Sequence, residues 1–410
     1  MSKKWLGLAV VVGVAVVLVA PIPLHTRPYL MHITIVALFY AILASSWSLL
    51  AGYGGQFSFA HMALMGIGAY TAAMFGRYVR FATAPTKLCT ELPVGGYWLI
   101  IQNAGGENCL EQAKPSMPAG TLIIQPSPVM GIVLGILMGA LAGFLIGVLV
   151  LRLRRTYLAL FTIAFAEILR TALNAEIDIT GGPGGLSLVP LFPHGLRVFG
   201  FEFSPVDKVP PYYVMALLFL ICLGLMYWLA RSRFGLFLRT IREDEEAAAA
   251  LGVHVVRYKV LVFTITSAIA AAAGAVVAHY IGLITPNIMV IKEMSIVIAM
   301  AVIGGLESLF AAALGAMIIE YALEFLRTDI TLGSFTIHMT DWRLVFFGLL
   351  LMLTLRFWNN GLLYPLIQRI TRAGVERETV AKRLAAAAER ESEEAPEGAT
   401  ADSLTAESGP

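Results

Sequence analysis

Apolar residues come in runs near 20 long along almost the whole chain, parted by short polar or proline- and glycine-rich breaks. A helix of that length crosses the ~30 Å of hydrocarbon in a bilayer. The pattern predicts ten spans. The first, Trp5 to Ala20, follows Ser2-Lys3-Lys4 and lacks an A-x-A site after it, so it reads as an uncleaved span. The next three are about Tyr29 to Leu50, a glycine-dotted one ending near Phe75, and Val129 to Leu151. Tyr157 to Leu173, Tyr212 to Ala230 and Val260 to Gly282 come next. A short eighth, about Met294 to Ile303, precedes a ninth from Leu306 to about Leu326 and a tenth from Trp342 to Phe357. The expected fold class is an all-α, polytopic membrane helix bundle with broken helices.

Residues 1–373 form the expected transmembrane domain, with a polar extracytoplasmic insertion at 77–125 and a charged cytoplasmic loop at 231–259. Residues 374–410 are a charged tail, expected to be largely disordered beyond Ala395. Positive charge agrees with both termini lying inside. Of 29 Lys and Arg, 18 fall in the N-terminal, Arg152–Arg155, 231–259 and C-terminal segments.

Two breaks resemble one another. Gly54-Gly55-x-x-Ser58 precedes His61, and Gly304-Gly305-x-x-Ser308 recurs 250 residues later. Matching interruptions in two halves point to a transport site between repeats, and Ser58 is a candidate cap for the helix that restarts. His61 is a candidate path-lining residue or a histidine bonded within the bundle. Glu167 and Arg170, at i and i+3 in the fifth span, are either part of a path or an ion pair holding helices. Gly131, Gly135, Gly139, Gly143 and Gly147 bare one face of the fourth span, and Ser267, Ala271, Gly274 and Ala278 one of the seventh, for close packing. Thr180-Gly181-Gly182-Pro183-Gly184-Gly185 reads as an ordinary turn, with amides that meet a substrate carboxylate as the alternative. Cys89 and Cys109 share the insertion and are candidates for a disulfide.

The loop RSRFGLFLRTIREDEEAAAALGVHVVRYK carries the most specific chemistry. Thr240 and Glu243 make a T-x-x-E capping box, acidic residues fill the turns after it, and Gly252 supplies a left-handed stop. Ile241 to Leu251 would be a rod of about 16 Å, too short to cross a membrane and suited to dock in a groove on another protein.

Composition sharpens the class. The chain is 58% hydrophobic and 14% charged, and its net charge of +2 argues against a nucleic-acid partner. There is no Walker A sequence, metal-ligand cluster or nucleophile constellation, so an enzyme is not expected and energy is expected from a partner.

Glu246-Ala247-Ala248-x-x-x-Gly252 resembles, residue for residue, the EAA-x-x-x-G motif of ABC importer permeases. GYGGQFSFAHMALMGIGAYTAA, YLALFTIAFAEILR with TGGPGGL, and MAVIGGLESLF occur with it in the order seen in LivM-type branched-chain amino acid permeases. The resemblance covers roughly residues 30 to 360 and implies the ABC importer permease fold in the bacterial cytoplasmic membrane. It implies that Thr240, Arg242, Glu243, Glu246, Ala247, Ala248 and Gly252 couple to an ATPase. A LivH-type second permease subunit, two ATP-binding subunits holding ATP and Mg, and an extracytoplasmic binding protein are the implied partners. Related permeases of the same architecture import urea or short amides, and a stand-alone secondary transporter or channel is the competing class. The 77–125 insertion and the charged tail depart from the family pattern.

Overall fold

In the computed structural model the described residues run from 26 to 363, with Pro21 and Pro365 as isolated additions. Breaks in that range fall at 86–88, 95–96, 103–108, 114, 116, 119–120, 151–154, 193–195, 199–200, 204–206, 328–329, 333–334, 338 and 359–360. The expected first span, Arg152, Arg154 and the charged tail lie outside the described residues. The chain divides into two units, and the helices below all belong to Val17–Tyr364.

Helix α1, Pro28–Trp47, starts on a proline whose fixed φ suits a first helical turn. It widens into a π-wound turn at Ser48–Tyr53, giving one span of 26 residues. That span is 83% buried, so α1 is the axis of the bundle. Helix α2, His61–Tyr78, returns the chain to a four-stranded antiparallel sheet. Its strands are β1 Val79–Ala82, β2 Thr90–Val94, β3 Tyr97–Ile101 and β4 Ile123–Ile124, in the order β2-β3-β1-β4. The short helix α3, Cys109–Ala113, is bound to the sheet by the Cys89–Cys109 disulfide, over a core of Ala82, Ile100 and Leu110. The expected disulfide is present. The insertion is more ordered than an all-α class allows, because Thr90–Val94 and Tyr97–Ile101 form a hairpin across Gly95-Gly96 with Val94 opposite Tyr97. A Gly-Gly pair between two β-rich pentads is the signal that would have found it.

Helices α4 (Pro128–Val150) and α5 (Arg155–Ala175) follow, then the turn α6 (Ile177–Thr180) and strand β5 (Leu186–Ser187). Hairpin β6 (Leu196–Val198) and β7 (Phe201–Phe203) leads to α7 (Val209–Arg231). Next come α8 (Arg233–Glu243), α9 (Glu245–Ala250) and the long α10 (Val255–Ile281). Strand β8 (Leu283–Ile284) pairs with β5. Helices α11 (Ile291–Gly304) and α12 (Leu309–Phe325) form a V, bent by 119°. Hairpin β9 (Ile330–Leu332) and β10 (Phe335–Ile337) precedes α13 (Met339–Phe357).

Nine of the ten expected spans thus coincide with helices. Five described helices are long and apolar enough to cross a membrane, and the α11–α12 pair makes a sixth if taken as one span. The others fall short for stated reasons. Helix α2 is diluted by glycine, His61 and Arg77, and α13 carries Asp341, Arg343 and Arg356.

The glycine face of α4 does what its spacing predicts. A Cβ on Gly135 would sit 2.6 Å from the Gly68 carbonyl oxygen of α2, and one on Gly139 would sit 2.2 Å from Ala271 Cβ of α10. Gly274 of α10 meets the Met65 carbonyl of α2 in the same way, at 2.3 Å. Three helices therefore touch backbone to backbone, the packing that bilayer-embedded helices use in place of a hydrophobic drive. Opposite this seam, Val133, Leu137, Leu141 and Leu145 of α4 are exposed.

Candidate functional site

Helix α8 begins at Ser232, whose hydroxyl oxygen accepts the Phe234 amide at 3.2 Å. Gly235, Leu238 and Ile241 form its buried stripe. Thr240 lies inside this helix, and its hydroxyl donates to the carbonyls of Leu236 and Phe237. The expected capping box of Thr240 and Glu243 is therefore corrected, as is the single rod from Ile241 to Leu251. Asp244 is extended, at φ −151° and ψ 113°, and divides the rod in two. Its carboxylate accepts the amides of Glu246 at 2.9 Å and Ala247 at 3.0 Å, so it caps α9. Glu245 and Glu246 occupy the first turn, where the helix dipole favours them.

The far end stops as expected. Gly252 has φ +85°, its amide donates to the Ala249 carbonyl at 2.9 Å, and Val253 donates to Ala248 at 3.1 Å. This pair of bonds is the Schellman arrangement, which needs a residue at positive φ. At six residues, α9 is about 9 Å long and would not persist without its two caps. Ala248 is buried beneath it, while Glu246 and Ala247 are exposed and Leu251 projects with 83% of its surface free. Leu251 is thus an exposed apolar side chain at the capped end of α9. Asp244→Ala is expected to cost about 1 kcal/mol of local stability, as N-cap truncations do. Hydrogen exchange at Glu246 and Ala247 should accelerate accordingly while the amides of α10 stay protected.

Three side chains tie this segment to the bundle. Glu245 pairs with Lys259, which is buried at the start of α10 and whose carbonyl accepts the Gln56 amide at 3.4 Å. Arg242 donates to the Gly52 carbonyl at 2.6 Å and to Glu307 at 3.3 Å. It also forks onto Glu243, through Nε at 3.1 Å and Nη2 at 2.7 Å. That carboxylate is the first cause holding the guanidinium above its ordinary pKa. The Glu307 pair is 29% and 46% exposed at its two ends, so it adds no more than about 1 kcal/mol of stability. Arg239 adds a cation–π contact, 4.7 Å above the Tyr53 ring.

Gly52 closes the π-wound turn of α1, and Glu307 lies between α11 and α12. The two sequence breaks therefore meet. A Cβ on Gly52 would fall 1.9 Å from the Leu306 carbonyl oxygen, and the Ser48 hydroxyl donates to that same oxygen at 2.7 Å. Gly55 stands at φ +65° over Arg242, and Gly54 packs on the Leu50 carbonyl. Gly304 packs on Ala311 and Ala312 across the V, and Gly305 on Gly361. Ser308 caps α12 by accepting the Ala311 amide at 3.3 Å. Ser58 does not cap α2. It accepts the Ala60 amide two residues on, at 3.1 Å, and α2 starts at His61 with no side-chain cap.

The glycine cluster at 52–55 begins in the last turn of the 26-residue span, at Gly52, and turns the chain at the end of the bundle that carries α8 and α9. The candidate path residues accordingly divide. Gly54, Gly55, Gly304, Gly305 and Ser308 gather at this junction, whereas Glu167 and Arg170 pair on α5, halfway along its span. His61 is wholly buried, and neither ring nitrogen has a partner among the described residues. Its neighbour Phe59 donates its amide to Thr162 of α5 at 3.0 Å. At the opposite end of the bundle Tyr29 donates to Glu324 at 2.5 Å, and Thr34 bonds Tyr321, so α12 runs antiparallel to α1. Asp244, Glu245, Lys259 and Glu307 belong to the junction although the motif does not include them. In the sequence, the acidic run after Glu243 and the place of Lys259 at a span's edge are the hints of it.

Residues 29–355 match the family model described as branched-chain amino acid transport system / permease component. The high-affinity branched-chain amino acid transport system permease protein LivM of Escherichia coli K12 is 30% identical, over 76% of this chain and 68% of its own length. LivM of Salmonella typhimurium is 29% identical over the same shares. The permease protein LivH of Escherichia coli K12 is 25% identical, over 69% of this chain and 80% of its own length. No solved structure matches the chain.

Proposed function

The chain belongs to the family of branched-chain amino acid transport system permeases, and from that premise we propose that it is the LivM-type subunit of an ATP-driven importer of leucine, isoleucine and valine. The observation that carries the mechanism is the display of α9, with Glu246 and Leu251 outward and both ends capped, directly after α8, whose Arg242 bonds two helix breaks. In this reading a separate ATPase, holding ATP and Mg, grips α9 from the cytosol. Closure of two such ATPases displaces α8–α9, and the permease opens outward to accept solute from a binding protein. Hydrolysis resets it.

Orientation has two supports. Lys and Arg concentrate in the segments assigned to the cytoplasm. The Cys89–Cys109 disulfide belongs on an oxidising side, and α2 carries the chain from the α8–α9 end to that sheet. Both termini are then cytoplasmic.

A LivH-type partner subunit suits the flank of α5. That helix has only 17% of its span buried, and Glu167 with Arg170 remains 43% and 24% exposed at mid-span. A charge at that depth is costly against lipid and is accommodated by protein or a watery path. The second subunit supplies either, and the pair then stands where an amino acid's own ammonium and carboxylate pass.

The test is to purify the assembled complex with its binding protein and measure which solutes stimulate ATP hydrolysis. Leucine, isoleucine and valine are expected to do so. Stimulation by urea or short amides alone would replace the substrate while keeping the machine. Uptake by this chain alone, driven by an ion gradient, would overturn the reading.

A further inference from the structure

We infer that Arg242 is the positioning residue that carries motion of the docking segment to both helix breaks at once, which rests on the reading of α9 as the element an ATPase grips. Its Nη1 donates to the Gly52 carbonyl at the end of α1, and also faces Glu307 in the elbow between α11 and α12. The two breaks already touch each other, through Ser48 and the Leu306 carbonyl. A displacement of α8 therefore reaches one joint, not two independent ones.

The other links from this segment reach less far. Arg239 lies over Tyr53 and so contacts the first break alone. Glu245 and Lys259 hold α9 to the base of α10, which makes that contact a pivot. Among the described residues, Arg242 is the side chain of the segment seen bonding both breaks. Gly55 explains how it fits. A Cβ there would come within 3.0 Å of Arg242 Cγ and 3.3 Å of its Cα, on a residue already at φ +65°. The bare glycine lets α8 lie against the turn.

The chemistry requires a guanidinium. Gly52, Glu243 and Glu307 present acceptors in three directions. Arginine offers five N–H donors in a fixed fork, while lysine offers a compact ammonium on a flexible stem. A lysine keeps the charge and loses the simultaneous grip. The Glu307 link is partly exposed, so its use is to fix direction more than to hold the fold.

The test uses the whole complex in vesicles, with its ATPases and binding protein, and reads ATP consumed per solute moved. Arg242→Ala is expected to raise that ratio about tenfold, within the usual range for coupling between sites. Arg242→Lys should fall between it and the parent. Glu307→Gln should raise the ratio less, because the Gly52 bond survives. A purely structural role predicts that hydrolysis and uptake fall together with the yield of complex, leaving the ratio flat. A flat ratio in both Arg242→Ala and Glu307→Gln overturns the inference while leaving the importer reading intact. Should the parent complex move solute without consuming ATP, the importer reading fails, and this inference with it.

Discussion

Glu246→Lys is expected to abolish uptake while the chain still inserts and accumulates, and Gly252→Val is expected to do the same by a different route. Glu246 is exposed in the first turn of α9. Placing a cation there opposes the helix dipole by about 0.3–1 kcal/mol, too little to unfold a bundle of this size. What changes is the charge offered to whatever docks. At Gly252 the space is open, since a Cβ there would meet nothing within 4 Å. The penalty is conformational, about 1–2 kcal/mol for an L-residue at φ +85°, and more for a branched one. A six-residue helix cannot absorb that loss, so α9 frays and Leu251 is no longer presented. Transport into vesicles, normalised to the chain found in the membrane fraction, decides both. Parental uptake in either variant would count against docking at α9.

Gly68→Val is expected to prevent the bundle from forming at all. A Cβ on Gly68 would lie 2.3 Å from the Ala271 carbonyl oxygen and 2.6 Å from Ala271 Cα, while Gly135 of α4 closes on the Gly68 carbonyl from the other side. Both obstacles are backbone, so no rotamer change relieves them. Overpacking in a soluble core costs about 1–3 kcal/mol where side chains can yield. Here two helices must separate, and the cost exceeds that range. Gly224→Ala is the control, because a Cβ on Gly224 meets nothing within 4 Å. It should accumulate as the parent does, with a slight gain from helix propensity. Yield of detergent-soluble, monodisperse protein separates the two variants.

Features governed by one helix were legible in the sequence. Glycine at every fourth position of α4 foretold its close approach to neighbours, since the face is a property of the helix alone. The stop at Gly252 was equally local. The start of α9 was misjudged because two capping residues lie four apart. The apolar spacing of Gly235, Leu238 and Ile241 shows that a helix is already under way at Thr240, which leaves Asp244 as the cap. The likeness of the two breaks paired them in the sequence, but the atoms that meet, Gly52 and Ser48 with the Leu306 carbonyl, follow from no local rule. The sheet in the insertion was missed for another reason. Its polar composition hid two pentads with β-rich residues around a glycine pair.

The disulfide between Cys89 and Cys109 closes a stretch of 20 residues and fastens α3 to the sheet. A cross-link over such a stretch contributes about 3 kcal/mol in the chain-entropy view, and only where a thiol oxidant is at hand. On the orientation proposed above, maturation of this transporter has two stages: the spans thread without the disulfide, and the sheet is locked once Cys89 and Cys109 are oxidised. Protein made under reducing conditions is then expected to insert normally and to lack only this lock, a defect that yield and topology assays would both pass over.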